Sequence, residues 1–328
     1  MKILFLSRPE KVERYTGDRS VLEQCELVYA SNWAPEAVPA EGLDAQILVA
    51  DAIAPVGADL IRRMPNLKMI HSEGVAFNSF DIEEAARRGI YVCNCKGMNA
   101  PAVAEQAILL MLGLMKDVVK GDGDVRSGHQ MDTKMSHMVN GSLRELGECT
   151  VGLVGFGDIA RETALRLRPF GCRVLYNASH RHEPAEEAAC GVSYAPLDEL
   201  LASSDIVSLH LPVKQDTLHM CDEAFFDRMK EGALLINTSR GELVDQEALL
   251  SSLRSGRLGG AGLDTIEPEP VTEANPLITA LREGDRILFS PHIGGITARS
   301  FYRGYEMIWE DIRKVAAGER PDHIVNGL

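Results

Sequence analysis

Short aliphatic and β-branched runs alternate with amphipathic stretches along most of this 328-residue chain. Residues 3–6, 46–50, 67–71 and 91–94 each adjoin a polar stretch of helical spacing, and runs of that length and composition read as strands. A second series begins at Thr150 and continues through 173–176, 206–211, 233–237, 260–264 and 287–290. Strands that alternate with helices form parallel sheets, so the fold class is α/β with two doubly wound parallel-sheet domains. Between the two series lies an apolar helix over 100–119, then a Gly- and Asp-rich stretch over 121–128 and a weakly patterned segment up to Gly147, which together mark the boundary. A chain of this length exceeds the usual single-domain size, and two lobes leave a cleft between them. No internal repeat or low-complexity segment is found.

Composition narrows the classes. Hydrophobic residues make up 45% and charged residues 25%, enough to bury a core in each domain. The formal net charge of -14 opposes phosphate backbones and anionic lipid, which argues against nucleic-acid and membrane partners. The seven cysteines include Cys93 and Cys95 but no pair with zinc-ligand spacing, so no metal is expected and free thiols in a reducing, cytoplasmic compartment are. The apolar start, residues 3–6, is too short for a signal peptide, and the run at 108–115 is too short to span a bilayer.

The sharpest local signal is Thr150-Val-Gly-Leu-Val-Gly155-Phe156-Gly157-Asp158-Ile159-Ala160, a glycine turn directly after a strand and before a helix. Gly155 permits the tight turn, Gly157 lets a pyrophosphate approach the backbone, and Ala160 lets the helix pack closely while its first amides face the anion. A plain structural turn would share the pattern. The next strand ends about twenty residues on at Asn177, where a ribose-binding residue belongs. NAD sites commonly carry Asp or Glu there, which repels a 2′-phosphate. Asn177 lacks that charge, and Ser179, His180, Arg181 and His182 follow with donors suited to phosphate, so NADP is expected, with NAD as the alternative. The same residues could form a solvated loop, and Asp158 adds a charge unhelpful to a pyrophosphate.

Three further segments each lie just past a strand's carboxyl end: Asn237-Thr238-Ser239-Arg240-Gly241, Asp264-Thr-Ile-Glu-Pro-Glu269-Pro270 and Ser290-Pro-His292-Ile-Gly294-Gly295. Ligands of open parallel sheets bind at that edge. Taken singly, Arg240 and Glu269 could be surface ion-pair partners and His292 a satisfied core histidine. In this order, together with Gly74-Val75-Ala76-Phe-Asn-Ser-Phe-Asp81, Asn99-Ala-Pro-Ala-Val103-Ala-Glu105 and His210-Leu211-Pro212 followed by Thr217, they make the chain resemble the D-isomer-specific 2-hydroxyacid dehydrogenases over essentially its whole length.

That resemblance implies a flavodoxin-like substrate domain, residues 1–97 with 296–328, interrupted by a Rossmann dinucleotide-binding domain over 98–295. It implies hydride transfer between NAD(P)H and a small 2-oxo acid, giving a D-2-hydroxy acid. Arg240 would hold the substrate carboxylate and polarise the carbonyl with its planar fork. His292 would be the general acid, with Glu269 fixing its ring and favouring the imidazolium. Asp264 would accept from the nicotinamide carboxamide, or else cap a turn. The Val75 and Ala76 amides would bind the substrate carboxylate from the other lobe, so that closure of the cleft completes the site. Cofactor contacts are implied for Gly155, Phe156, Gly157, Asp158 and Ile159, and for Asn177, Ser179, His180 and Arg181. Others are implied for His210, Leu211, Pro212, Thr217, Thr238 and Ser239, and for Asp264, His292, Gly294 and Val103.

The chain departs from the family pattern at Ala76, where glycine is usual, at Glu73, and at Gln106, where histidine is common. Glu73 is expected to point to solvent. His71, Ser72 and Glu73 replace the arginine of phosphoglycerate enzymes, which disfavours a phosphorylated substrate, and Glu269 disfavours a formate dehydrogenase, which carries glutamine there. The run around Asn177 is similar to NADPH-dependent glyoxylate and hydroxypyruvate reductases. A homodimer paired through residues 100–146 is implied as well. The alternative from another class is a dinucleotide-sensing corepressor-like protein of the same fold with little catalysis.

Overall fold

In the computed structural model, which describes residues 1–30, 32, 37–282 and 286–328, every ladder between named strands is parallel. Central strands such as Ile-Leu-Val-Ala over Ile47–Ala50 are buried at every residue, as a sheet covered by helices on both faces requires. The chain divides into two units: Met1–Asn99 with Ile296–Leu328, and Ala100–Gly295. The second is therefore inserted in the sequence of the first.

The first unit has five strands, β1 (Lys2–Leu6), β2 (Glu26–Tyr29), β3 (Ile47–Ala50), β4 (Met69–Ser72) and β5 (Tyr91–Cys93), in the order β2-β1-β3-β4-β5. Helices α1 (Pro9–Tyr15), α2 (Ser20–Glu23), α3 (Ala58–Arg63) and α4 (Ile82–Arg87) lie between them in sequence. One core packs Leu4, Leu48 and Ile70 with Leu60 and Ile61, and the other packs Ile3, Phe5 and Val49 with a helix from the C-terminal segment.

The second unit opens with α5 (Ala100–Met115), α6 (Val118–Arg126) and α7 (Gln130–Asn140). Strands β6 (Thr150–Val154), β7 (Arg173–Asn177), β8 (Val192–Tyr194), β9 (Ile206–Leu209), β10 (Ala233–Asn237), β11 (Leu258–Leu263) and β12 (Ile287–Phe289) form one sheet in the order β12-β11-β10-β9-β6-β7-β8. Its helices are α8 (Asp158–Leu167), α9 (Pro184–Cys190), α10 (Leu197–Ser203), α11 (Glu223–Arg228), α12 (Gln246–Arg254) and α13 (Pro276–Arg282). The order turns back at β6 and β9, so the loops after these two strands leave the sheet side by side.

The first unit closes with α14 (Ala298–Ala316), whose Tyr305, Ile308, Trp309, Ile312 and Val315 fall on one buried stripe against β1 and β3. Asp311 of the same helix is fully buried and accepts from His71 at 3.2 Å, from His323 at 3.0 Å and from the Asp322 amide at 2.8 Å. Ile324 then bridges Cys93 in antiparallel fashion, adding the tail to the β5 edge.

Some local expectations need correcting. Strands β2 and β8 have no counterpart in the hydrophobic pattern, because both are short edge strands with partly exposed residues. The strand read over 206–211 stops at Leu209. The helix read over 100–119 ends at Met115 and restarts after Asp117, whose backbone is left-handed with φ 53. The Gly- and Asp-rich stretch beyond it is helical, supported by Lys120–Asp124 and Asp122–Arg126 pairs one turn apart. All seven cysteines are free thiols. Among the described residues no helix is long and apolar enough to cross a membrane, and no cluster of His, Cys, Asp or Glu has the makings of a metal site.

Candidate active site

The glycine turn of the second unit is built as a close approach. Gly155 has φ +94, and a Cβ there would stand 2.3 Å from the His210 carbonyl oxygen, so the two neighbouring loops meet only because no side chain intervenes. Its amide donates to Asn177 O at 2.8 Å. Gly157, the N-cap of α8, is different: a Cβ there would meet nothing within 4 Å. The fold makes no steric demand for glycine at that point, and the open space lies over the unpaired first amides of a helix. Phe156 and Ala160 are buried beneath, Phe156 stacking on Tyr176 at 4.3 Å between centroids. Asp158 and Ile159 occupy the first turn of α8, and a carboxylate there complements the helix dipole, which gives Asp158 a structural reason the sequence did not offer.

At the tip of β7, Asn177 donates its amide to Ala195 O at 3.0 Å, fixing the loop. Ser179 and His180 are exposed and contact each other at 3.3 Å. Arg181 is held in a two-pronged pair with Glu187, both distances 2.9 Å, and this partner keeps the Glu187 carboxyl below its ordinary range. Arg161 of α8 pairs with Glu186. Arg161 and Arg181 thus each have a glutamate counter-ion.

The carboxyl ends of β9, β10 and β11 are adjacent, and each carries a buried polar atom with no partner among the described residues: His210 Nδ1, Thr238 Oγ1 and Thr265 Oγ1. Buried polar groups are normally paired, so three neighbours in want of a partner mark a ligand edge. Burial pushes His210 down to about 4, leaving a neutral imidazole whose Nε2 meets Ser208 Oγ at 3.0 Å. Leu211 and Pro212 follow, and Thr217 closes their loop by donating to Pro212 O at 2.9 Å. Val103 lies buried in α5 of the same unit.

Beyond β10, the Asn237 side chain accepts from the Ser239 amide and donates to the Arg240 carbonyl, while the Ser239 hydroxyl donates to Leu209 O. This clamp presents Arg240, an exposed side chain that donates from Nη1 to Ser239 O at 2.7 Å. Gly241 follows because a Cβ there would lie 2.4 Å from the Glu267 backbone nitrogen. That nearby segment is fixed in turn by Gln246 Nε2 and Asn275 Nδ2, which both donate to Glu267 O, with Asn275 also reaching Gln246 Oε1. Two residues on, Glu269 Oε2 meets His292 Nδ1 at 2.7 Å. His292 itself sits on left-handed backbone, φ 52.

Asp264 holds the histidine loop. Its buried carboxylate accepts from Ser290 Oγ at 2.5 Å, Ile293 N at 3.1 Å and Gly294 N at 2.9 Å, and its carbonyl accepts from His292 N at 2.9 Å. Ser290 Oγ also receives Gln106 Nε2 at 2.8 Å. Gln106, Ser290, Gln246 and Asn275 went unassigned in the sequence. Only Gln106 carried a signal there, as a departure from the family pattern.

Val75 and Ala76 belong to the first unit. Their carbonyls accept from Asn94 Nδ2 and Ser72 Oγ, whereas among the described residues their amides have no acceptor. Ala76 does not have the positive φ that would require glycine. Glu73 overturns its expectation: it is buried, not solvated, with Lys11 Nζ at 2.8 Å and Tyr305 OH at 2.5 Å. Burial would lower Lys11, but the Glu73 carboxylate outweighs it and holds the ammonium charged. The negative charge near the loop is therefore matched.

A glycine turn at a helix head beside an imidazole–carboxylate pair at the same sheet edge is the equipment of a dinucleotide-dependent oxidoreductase. The pattern of the D-isomer specific 2-hydroxyacid dehydrogenase NAD binding domain matches residues 108–294. A glyoxylate reductase of Korarchaeum cryptofilum is 35% identical over 300 residues, 90% of this chain and 88% of that protein. A hydroxypyruvate reductase of Thermotoga maritima is 34% identical over 267 residues, 81% of this chain and 83% of that one. The crystal structure of D-lactate dehydrogenase with NAD+ from Lactobacillus jensenii superposes with a TM-score of 0.84 at 26% identity, covering 99% of both chains. The chain belongs to the D-isomer-specific 2-hydroxyacid dehydrogenase family.

Proposed function

We propose that this protein reduces a small 2-oxo acid, of the glyoxylate or hydroxypyruvate kind, to the D-2-hydroxy acid, and that NADPH serves as the preferred nicotinamide donor. The observation that carries the chemistry is the His292–Glu269 pair: with Nδ1 engaged at 2.7 Å, Nε2 is the ring nitrogen left to carry the transferable proton. The dinucleotide, when bound, supplies the hydride that adds to the carbonyl carbon. His292 Nε2 gives its proton to the carbonyl oxygen as the C=O π bond breaks, and the Glu269 carboxylate orients the ring. Arg240 is the fork for the substrate carboxylate; in the first unit the Val75 and Ala76 amides, which have no acceptor among the described residues, suit a carboxylate as well. The dinucleotide itself fits the open space at Gly157 and the His210 Nδ1, Thr238 Oγ1 and Thr265 Oγ1 atoms, which have no partner among the described residues. Asn177 supports NADPH because it lacks the carboxylate that would itself repel a 2′-phosphate, with the exposed Ser179 and His180 as donors and the remaining Nη1 of Arg181, whose Nε and Nη2 are held by Glu187.

Initial rates of NADPH and NADH oxidation with glyoxylate, hydroxypyruvate, pyruvate and an aromatic 2-oxo acid test the reading. Turnover favouring NADPH and the two small acids is expected. Tight dinucleotide binding with no turnover on any acid would replace it with the sensor reading.

The free thiols suit a reducing, cytoplasmic setting. A homodimer is the assembly we infer, because Met131, Met135, Met138 and Val139 form an uncovered apolar stripe along α7 at helical spacing. A second copy related by two-fold symmetry covers such a stripe with itself. Light scattering should give twice the chain mass, and Met135→Glu with Met138→Glu should give the monomer; a wild-type monomer sinks the inference.

A further inference from the structure

The His292–Glu269 pair does not hold itself in place. Both side chains are nearly half exposed, at 46% and 44%, and His292 stands on a backbone conformation that a side chain adopts at a cost. What holds the bend is the Asp264 carboxylate, through the Ile293 and Gly294 amides. That carboxylate is in turn addressed by a two-link chain. Ser290 has one hydroxyl proton, and at 2.5 Å it is spent on Asp264 Oδ1; the oxygen can then only accept, and it accepts from Gln106 Nε2 at 2.8 Å. Gln106 rides on α5, whose Ala107, Leu110, Met111 and Leu114 are buried in the core of the unit. A Cβ on Gly294 would also lie 3.3 Å from Gln106 Cβ, so the helix and the loop touch directly.

We propose that Gln106 and Ser290 are positioning residues for His292: Gln106 donates to Ser290, Ser290 donates to Asp264, and Asp264 locks the bend that presents the imidazole. The inference rests on the role given to His292 above. The chain has one polarity, since Gln supplies a donor, Ser passes one on and the carboxylate only accepts. An acceptor at position 106 is therefore as damaging as an apolar residue, although it fills the same space.

The test uses the full chain carrying Gln106→Leu, Gln106→Glu, Ser290→Ala and the Gln106→Leu, Ser290→Ala pair. Three quantities are read: kcat and KM for glyoxylate, dinucleotide Kd by fluorescence, and hydrogen exchange of residues 290–295. Losing one link of this part-buried chain should cut kcat by about ten-fold with Kd unchanged, and the double variant should be no slower than Ser290→Ala alone. The exchange of the Ile293 and Gly294 amides should quicken in each variant. For Gln106→Glu the deficit should be full at neutral pH and shrink as acid protonates the new carboxyl into a donor, which a role in packing alone would not produce. Wild-type kcat and wild-type exchange in Gln106→Leu overturn the proposal. Should the native protein turn over no 2-oxo acid, the functional reading falls, and the exchange rates still decide whether the relay exists.

Discussion

The imidazole of His292 is 46% exposed while its Nδ1 is held by Glu269, which suits the proton delivery proposed for it. Replacing it with alanine removes the donor and none of the groups at the glycine turn, so kcat should fall by roughly 10²- to 10⁴-fold while dinucleotide Kd is unchanged. Stopped-flow rates beside a fluorescence titration check this, and an unaltered kcat would strip His292 of its role. Arg240→Lys keeps the charge but loses the second prong; KM for the acid should rise and kcat fall together, whereas a merely electrostatic role would leave both near wild type. At this scale the candidate groups His292, Glu269 and Arg240 stood out because their chemistry is written in residue type, and the fold brings Glu269 to His292. Their supports did not stand out: Gln106 meets Ser290 across 184 residues and Glu73 meets Tyr305 across 232, distances at which no local pattern carries information. Glu73 was misread for that reason, since an isolated carboxylate belongs in solvent and only Lys11 and Tyr305 make its burial tolerable.

Among the elements, the strand–turn–helix from β6 to α8 separates two uses of glycine that the sequence shows as one motif. Gly155 serves the fold, through φ +94 and a neighbour 2.3 Å from any Cβ, while Gly157 has neither constraint. Gly155→Ala should therefore lower Tm as well as dinucleotide affinity, the backbone strain alone amounting to about 1–2 kcal/mol before the clash. Gly157→Ala should leave Tm at the native value and weaken the dinucleotide only; thermal melts and titrations of both variants decide, and a native Kd for Gly157→Ala would remove the pyrophosphate from that spot. Central strands were readable because burial on both faces demands an unbroken apolar run, as in Ile47–Ala50. The edge strands β2 and β8 are released from that demand, and α6 forms in spite of Gly121 and Gly123 because its charge pairs and the Asp124–Thr133 bond offset their low propensity.

For the whole molecule, the two units place their most displaced acid-range groups at different points of the pH scale. His210, in the second unit, titrates near 4 when folded and at its ordinary 6.5 when unfolded, so the unfolded chain takes up the proton first. Its contribution is complete above about 6.5 and is lost as the pH falls towards 4. Asp311 anchors α14 and the tail in the first unit. Burial would raise its carboxyl, but the His71 bond and the Asp322 amide prevail and bring it from 3.8 to about 2. Its contribution is present above 3.8 and fades only as the pH approaches 2. Each unit has its own cores, so acid should loosen the second before the first. Trp309 is buried in a core of the first unit, so in a chain carrying Trp33→Phe its emission reports on that unit. In an acid titration without dinucleotide, far-UV circular dichroism should begin to fall at a higher pH than tryptophan emission shifts. His210→Gln should move the early phase to lower pH and leave the emission transition where it was. Coincident transitions in the Trp33→Phe chain would mean that the two units unfold as one and that His210 does not set the acid limit of the second.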